Sequence, residues 1–180
     1  MATARVQPTG RLMLKGGIKN SDRHEQSQQV EYFMKCEEVM TKAPTCCVPT
    51  DSVNRVAKVM KTEDVGSVPV CESRENRKLV GIVTDRDLAL HVVAEARDVN
   101  MTRVQDVMTG DPFTCQPGDD LQNALDTMQT RQVRRIPVVD RSGQLIGIIA
   151  QADIAIRVGK SEKTAETIVR ISKPSTVRAA

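Results

Sequence analysis

Leu79-Val80-Gly81-Ile82-Val83-Thr84-Asp85-Arg86-Asp87-Leu88 reads as a strand that runs straight into a helix. Leu79–Val83 is nearly all apolar, as a strand buried on both faces requires. Asp85 then opens a segment whose Leu88, Val92 and Val93 are placed for its buried side. The pattern returns as Leu145-Ile146-Gly147-Ile148-Ile149, with Asp153 standing where the first copy has Asp87.

Upstream the repetition is plainer still. Laid over residues 107–138, residues 39–70 are identical at twelve of 32 positions. Val39, Met40, Thr41, Pro44, Cys47, Pro49, Asp51, Met60, Thr62, Val65, Pro69 and Val70 all recur 68 residues later. Unrelated segments of ordinary composition would share about two. The chain is one unit written twice, and a repeat found this way sets the architecture.

Each unit reads β-α-β-β-α. In the first, Thr45–Val48 is expected as a short strand between Pro44 and Pro49, and Asp51 as a helix N-cap. Val53, Val56, Ala57 and Met60 follow at helical spacing on one apolar face. Val68–Cys71 is expected as a strand, Glu72–Lys78 as a turn, and Leu79–Val83 as the next strand. The second unit has a tighter turn at Asp140-Arg141-Ser142-Gly143. A unit of about 55–65 residues buries too little to be robust alone. The expected fold class is therefore α/β (α+β), two β-α-β-β-α repeats sharing a core with pseudo-twofold symmetry and clefts at their junction. The divisions are a disordered or weakly helical leader over 1–34, repeats over 35–97 and 98–157, and a helix near Glu162–Ile171 with a tail over 158–180.

Composition narrows the function. Tyr32, Phe33 and Phe113 are the only aromatic residues, so the core must be aliphatic. Single-stranded nucleic acids are gripped by stacking bases on aromatic rings, which this chain can hardly offer. The net charge is +3, but the excess lies at the ends. Residues 1–34 hold five Lys/Arg against three Asp/Glu, and residues 158–180 hold five against two. Residues 35–157 hold sixteen against eighteen, so the repeats carry no basic excess, and a nucleic-acid partner is not expected. Five cysteines, at 36, 46, 47, 71 and 115, form no Cys-x-x-Cys or Cys/His metal spacing and read as reduced, mostly buried thiols. No apolar run approaches a membrane span and no apolar signal segment opens the chain, so a cytoplasmic location is expected.

The repeated elements are V-M-T-x-x-P at 39–44 and 107–112, P-V at 69–70 with P-V-V at 137–139, and L-V-G-I-V-T-D-R-D-L at 79–88. With these the chain resembles a tandem pair of CBS domains, a Bateman module, over about residues 39–157. The resemblance implies two clefts related by the pseudo-twofold axis, which in that family often hold AMP, ADP, ATP, S-adenosylmethionine or related adenosyl ligands. The family's ligand motif is G-h-h-[T/S]-x-x-D, complete here as Gly81 to Asp87.

Physical chemistry fits that role. The Thr84 hydroxyl and the helix amides beside it could meet a phosphate, and the Asp87 carboxylate could accept both hydroxyls of a ribose diol. The same spacing is equally that of a capping box, which only starts a helix. The second copy, Gly147 to Asp153, keeps the carboxylate but has Ala150 in place of the hydroxyl. One competent site and one weakened site are expected. For the Asp87 cleft the resemblance further implies Phe113, Thr114 and Cys115 near the base, with Val133 beside them. Arg134 and Arg135 would meet the phosphate, and Asp153 would serve the second cleft.

No P-loop, G-x-G-x-x-G or H-E-x-x-H is present, and neither His24 nor His91 has a partnered nucleophile. Cys46-Cys47 reads as packing rather than a redox pair, because Cys47 recurs as Cys115. The expected function is a non-enzymatic sensor, homodimeric through its second helices around Asp87–Ala96 and Asp153–Val158, that passes nucleotide state to a regulated protein. It needs no cofactor, and magnesium would arrive only with a polyphosphate. The alternative is a ligand-free dimerisation or protein-interaction module.

Overall fold

A computed structural model of the protein describes residues 34–157 and 168–172. The expected leader lies outside the described residues except for Met34. Of the helix expected near the C-terminus, 168–172 are described and helical.

The element order is α1 (Cys36–Val39), β1 (Thr41–Lys42), α2 (Val53–Glu63), β2 (Ser67–Cys71), β3 (Leu79–Thr84), α3 (Asp85–Leu88), β4 (Thr109–Gly110), α4 (Leu121–Arg131), β5 (Arg135–Val139), β6 (Leu145–Ala150) and α5 (Gln151–Arg157). A π-helical turn, Ala89–Val93, prolongs α3, and a 3₁₀ turn at Val104–Asp106 precedes β4.

The strands form two antiparallel three-stranded sheets, ordered β2-β3-β4 and β1-β6-β5. Each repeat supplies a hairpin, and the third strand comes from the segment leading into the other repeat. Thr41 and Lys42 pair with Ile148 and Gly147 of the second repeat. Thr109 and Gly110 pair with Ile82 and Gly81 of the first.

The cores are exchanged in the same way. Val104 and Val107 are buried with Val53, Val56, Val68, Val70 and Val83 of the first repeat. Cys36, Val39 and Met40 are buried with Leu121, Leu125, Met128, Ile136 and Ile149 of the second. Full burial of one such side chain is worth about 1.5–3 kcal/mol, so neither core is complete without the other repeat's leading segment.

Reciprocal hydrogen bonds express the pseudo-twofold relation. The Leu79 N–H donates to the Gly143 carbonyl at 3.0 Å, and the Leu145 N–H donates to the Arg77 carbonyl at 2.8 Å. Residues 77 and 79 are the counterparts of 143 and 145, so each repeat gives what it receives.

Local details depart from the sequence reading. Thr45–Val48 is not a strand. Only Cys47 bridges, in parallel, to Val70, as Cys115 does to Val138. Ser52, not Asp51, caps α2, its hydroxyl accepting the Arg55 N–H at 3.4 Å. The Asp51 carboxylate instead accepts the Val48 N–H at 3.0 Å and an Arg74 donor at 2.7 Å, closing the turn before the helix. Ala57 is exposed while Val53, Val56 and Met60 are buried. Val93 is 73% exposed, whereas Val92, its neighbour on the same π turn, is buried.

Candidate ligand cleft

Strand β3 is held in mid-sheet by β2 and β4 and ends on Thr84, whose extended backbone (φ −118°, ψ 162°) breaks into α3. The Thr84 N–H donates to Asp87 Oδ2 at 2.9 Å, and the Thr84 hydroxyl donates to the same oxygen at 2.7 Å. The Asp87 N–H returns a bond to Thr84 Oγ1 at 3.2 Å. The capping box is thus formed, and it consumes one carboxylate oxygen. Among the described residues nothing donates to Asp87 Oδ1, and the residue is half-buried.

The amides at the start of α3 are already engaged. The Asp85 N–H donates to the Gly66 carbonyl at 3.1 Å, and the Arg86 N–H donates to Asp85 Oδ1 at 2.7 Å. With the Asp87 N–H on Thr84, no first-turn donor is left for an anion. The three amides at the helix start are thus occupied by local bonds, and the positive charge nearby is on side chains.

That charge comes from the other repeat. A Cβ on Gly66 would lie 2.8 Å from Arg135 Nη2 and 2.8 Å from Asp85 Oδ2. The guanidinium at the start of β5 therefore reaches across to the loop before β2 and the first turn of α3. Arg134 is exposed, and its carbonyl accepts the Gln151 N–H at 2.9 Å, as the Gly66 carbonyl accepts that of Asp85. Gly66 is the counterpart of Arg134 and Ser67 that of Arg135. The first repeat has no basic residue to send back.

The second motif is poorer. The Ala150 N–H donates to Asp153 Oδ2 at 2.8 Å, without a hydroxyl to complete the box. The Gln151 amide, at the position of Asp85, donates to the Ile168 carbonyl at 3.0 Å and to Ser172 Oγ at 2.6 Å. The 168–172 segment is thereby tied to the start of α5, with Ile171 buried in the second core.

The residues expected around the base scatter more. Phe113 is 45% exposed, with the Arg131 guanidinium 4.8 Å from its ring centroid. Its counterpart Thr45 donates to Glu63, the counterpart of Arg131, at 2.7 Å. Phe113 thus tethers its own segment to the end of α4. Thr114 is exposed and Val133 packs on the second core. Cys115 belongs to that core. Its N–H donates to the Pro137 carbonyl at 3.2 Å, and its carbonyl accepts the Val139 N–H at 2.9 Å. Cys115 is 8% exposed. Asp85 and Gly66 were not singled out from sequence. The visible signal was the mismatch of Gly66-Ser67 with Arg134-Arg135 in otherwise matched strand entries.

The thiols are not poised for chemistry at this cleft. Burial, then the neighbouring Asp51 charge, pushes Cys47 up to about 12. Burial, then a hydrogen bond with Cys46, does the same for Cys71. Cys115 is raised further by its hydrogen bond to Cys36, which is lowered in return. Among the described residues no three His, Cys, Asp or Glu side chains cluster as metal ligands, and no helix is long and apolar enough to cross a membrane. An open depression of about 540 Å³ lined by Glu37, Glu38, Met40, Thr41, Lys42 and Arg157 shares no residue with the cleft.

Comparison with known proteins yields a consistent picture. A CBS domain family model matches residues 36–94 and 104–160. The CBS domain-containing protein YhcV of Bacillus subtilis is 33% identical over 136 residues, which span 76% of this chain and 94% of that one. Inosine-5'-monophosphate dehydrogenase of Methanocaldococcus jannaschii is 34% identical over 139 residues, 77% of this chain but only 26% of the enzyme. Among solved structures, CBSX2 of Arabidopsis thaliana in complex with AMP superposes with a TM-score of 0.56 at 26% identity, covering 66% of this chain and 91% of that one.

Proposed function

This chain belongs to the CBS-domain family, and on that premise we propose that it is a regulatory sensor module that takes an adenine nucleotide in the cleft carrying Thr84 and Asp87. The observation that carries the reading is the reach of Arg135, from the second repeat, to Gly66 at the threshold of that cleft. A nucleotide needs a ribose acceptor and a phosphate donor in one cleft. Asp87 Oδ1 accepts no hydrogen bond among the described residues, and the Arg135 guanidinium reaches the start of the same helix, which suits bidentate phosphate recognition. The AMP held by CBSX2 supports the assignment of ligand class.

The second cleft offers Asp153 alone, with Gln151 drawn toward 168–172. One nucleotide per chain is the expected stoichiometry. Binding would be communicated to a regulated protein by the repeats themselves, since their cores are exchanged and closure on a ligand acts on both. ADP or ATP would bring magnesium with it.

Isothermal calorimetry and thermal shift with adenosine, AMP, ADP, ATP, S-adenosylmethionine, NAD(H) and guanine nucleotides test this. A ligand at 100 times its Kd adds about 2.7 kcal/mol of stability. If no adenosyl ligand binds at millimolar concentration, the sensor reading gives way to a ligand-free interaction module, for which the exposed Val93 and Ile156 are the supporting feature.

A further inference from the structure

We propose that Asp85 is a charge selector for the cleft, standing near Arg135 beside Gly66 and restricting the ligand to one with a single phosphate. The inference rests on the nucleotide reading above.

Gly66 leaves a space with no side chain of its own, and two opposite charges from different repeats occupy it. Arg135 Nη2 and Asp85 Oδ2 each lie 2.8 Å from where a Gly66 Cβ would stand. The Asp85 carboxylate is anchored there, because its other oxygen holds the Arg86 N–H at 2.7 Å. Its backbone is anchored too, through the Asp85 N–H on the Gly66 carbonyl at 3.1 Å. The second repeat lacks the device: Gln151, the counterpart of Asp85, is neutral and turned to Ile168 and Ser172.

A phosphate drawn to Arg135 must therefore approach a fixed negative charge two residues from the ribose acceptor Asp87. One phosphate can share the guanidinium from the side away from Asp85. Each further phosphate adds negative charge near the Asp85 carboxylate, and like charges at such range disfavour binding. An uncharged nucleoside is indifferent to Asp85. The predicted selectivity is by phosphate number, set by a residue that carries no contact to base or ribose.

The test compares wild type with Asp85→Asn, which keeps the oxygen that receives the Arg86 N–H. Affinities for adenosine, AMP and ATP are measured by calorimetry in buffer with EDTA, so that no cation bridges the carboxylate and a polyphosphate. In wild type AMP should bind more tightly than ATP. Asp85→Asn should tighten ATP by about ten-fold and adenosine by less than about two-fold, the ATP gain shrinking as salt is raised. Gly66→Ala, whose Cβ would crowd both side chains, should weaken AMP and ATP alike. If Asp85→Asn moves all three ligands equally or none, charge selection is overturned while the nucleotide reading stands. If neither protein binds any of the three, both are overturned.

Discussion

Met108 Sδ lies where Gly81 has no side chain: a Cβ on Gly81 would stand 2.8 Å from it and 3.0 Å from the Thr109 carbonyl. Met40 stands in the same relation to Gly147. The methionine of each V-M-T segment thus covers the glycine of the other repeat's G-h-h-x-x-x-D motif. The glycine that sequence associates with a ligand motif is required here for strand packing.

Gly81→Ala should therefore destabilise the protein by about 1–3 kcal/mol, the usual cost of overpacking against backbone that cannot retreat. Urea unfolding measures it, with Gly118→Ala as the control, since a Cβ there meets nothing within 4 Å. Adding Met108→Ala should recover only part of the loss, because the Thr109 carbonyl remains. A Gly81→Ala protein as stable as wild type would contradict the packing role.

The two motif aspartates should separate stability from binding. Asp87→Ala and Asp153→Ala each remove a helix-start acceptor and should each cost about 1 kcal/mol in stability. Only Asp87→Ala should weaken nucleotide binding, by about 10- to 150-fold, from the loss of a charge-assisted bond worth roughly 1.5–3 kcal/mol. Calorimetry on both variants decides. Binding lost in Asp153→Ala and kept in Asp87→Ala would assign the ligand to the other cleft.

Assembly turns on which apolar residues are free. Val92 and Ile154 are 2% and 1% exposed and belong to the cores, whereas Val93 and Ile156 are 73% and 79% exposed. A homodimer through the second helices must use the latter pair. Val93→Asp and Ile156→Asp should convert a dimer to monomer in sedimentation at tens of micromolar with little change in urea midpoint, and Val92→Asp should unfold the chain. A wild type that sediments as a monomer would rule out this dimer.

Alkali should destabilise the fold through its buried thiols. Cys47 and Cys71 titrate near 9.0 ordinarily and at about 12 when folded, chiefly through burial. Between those values the folded chain holds protons that the unfolded chain releases, so stability present below pH 9 is lost as pH rises toward 12. The urea midpoint should fall between pH 8 and about pH 10.5, and a Cys47→Val, Cys71→Val variant should show a shallower fall. Parallel curves for the two proteins would remove the thiols as the cause.

Much of the candidate site was legible because it is local. Thr84 and Asp87 are three residues apart at a strand-to-helix junction, and a capping box needs nothing more distant than that. The charge that stands near Asp85 was not legible. Arg135 is fifty residues away in the chain, and only the docking of β5 beside the loop at Gly66 brings it near. Asp51 misled for the opposite reason. Asp and Ser are both good caps, but Asp51 is taken by the Val48 N–H, as its counterpart Asp119 is by the Gln116 N–H, which leaves the cap to Ser52.

Sequence by itself determined the repeated unit, the apolar strands Leu79–Val83 and Leu145–Ile149, the two amphipathic helices and the asymmetry between Thr84 and Ala150. These depend on periodicity and on neighbours within a turn. Tertiary structure alone decided that β1 joins the second sheet and β4 the first. Both copies carry the same V-M-T segment and the same apolar strand edge, so either pairing satisfies the local pattern equally. The selection is made by the cores. Val39 and Met40 complete the second and Val104 and Val107 the first, and burying these side chains from water is a gain that no window of sequence contains.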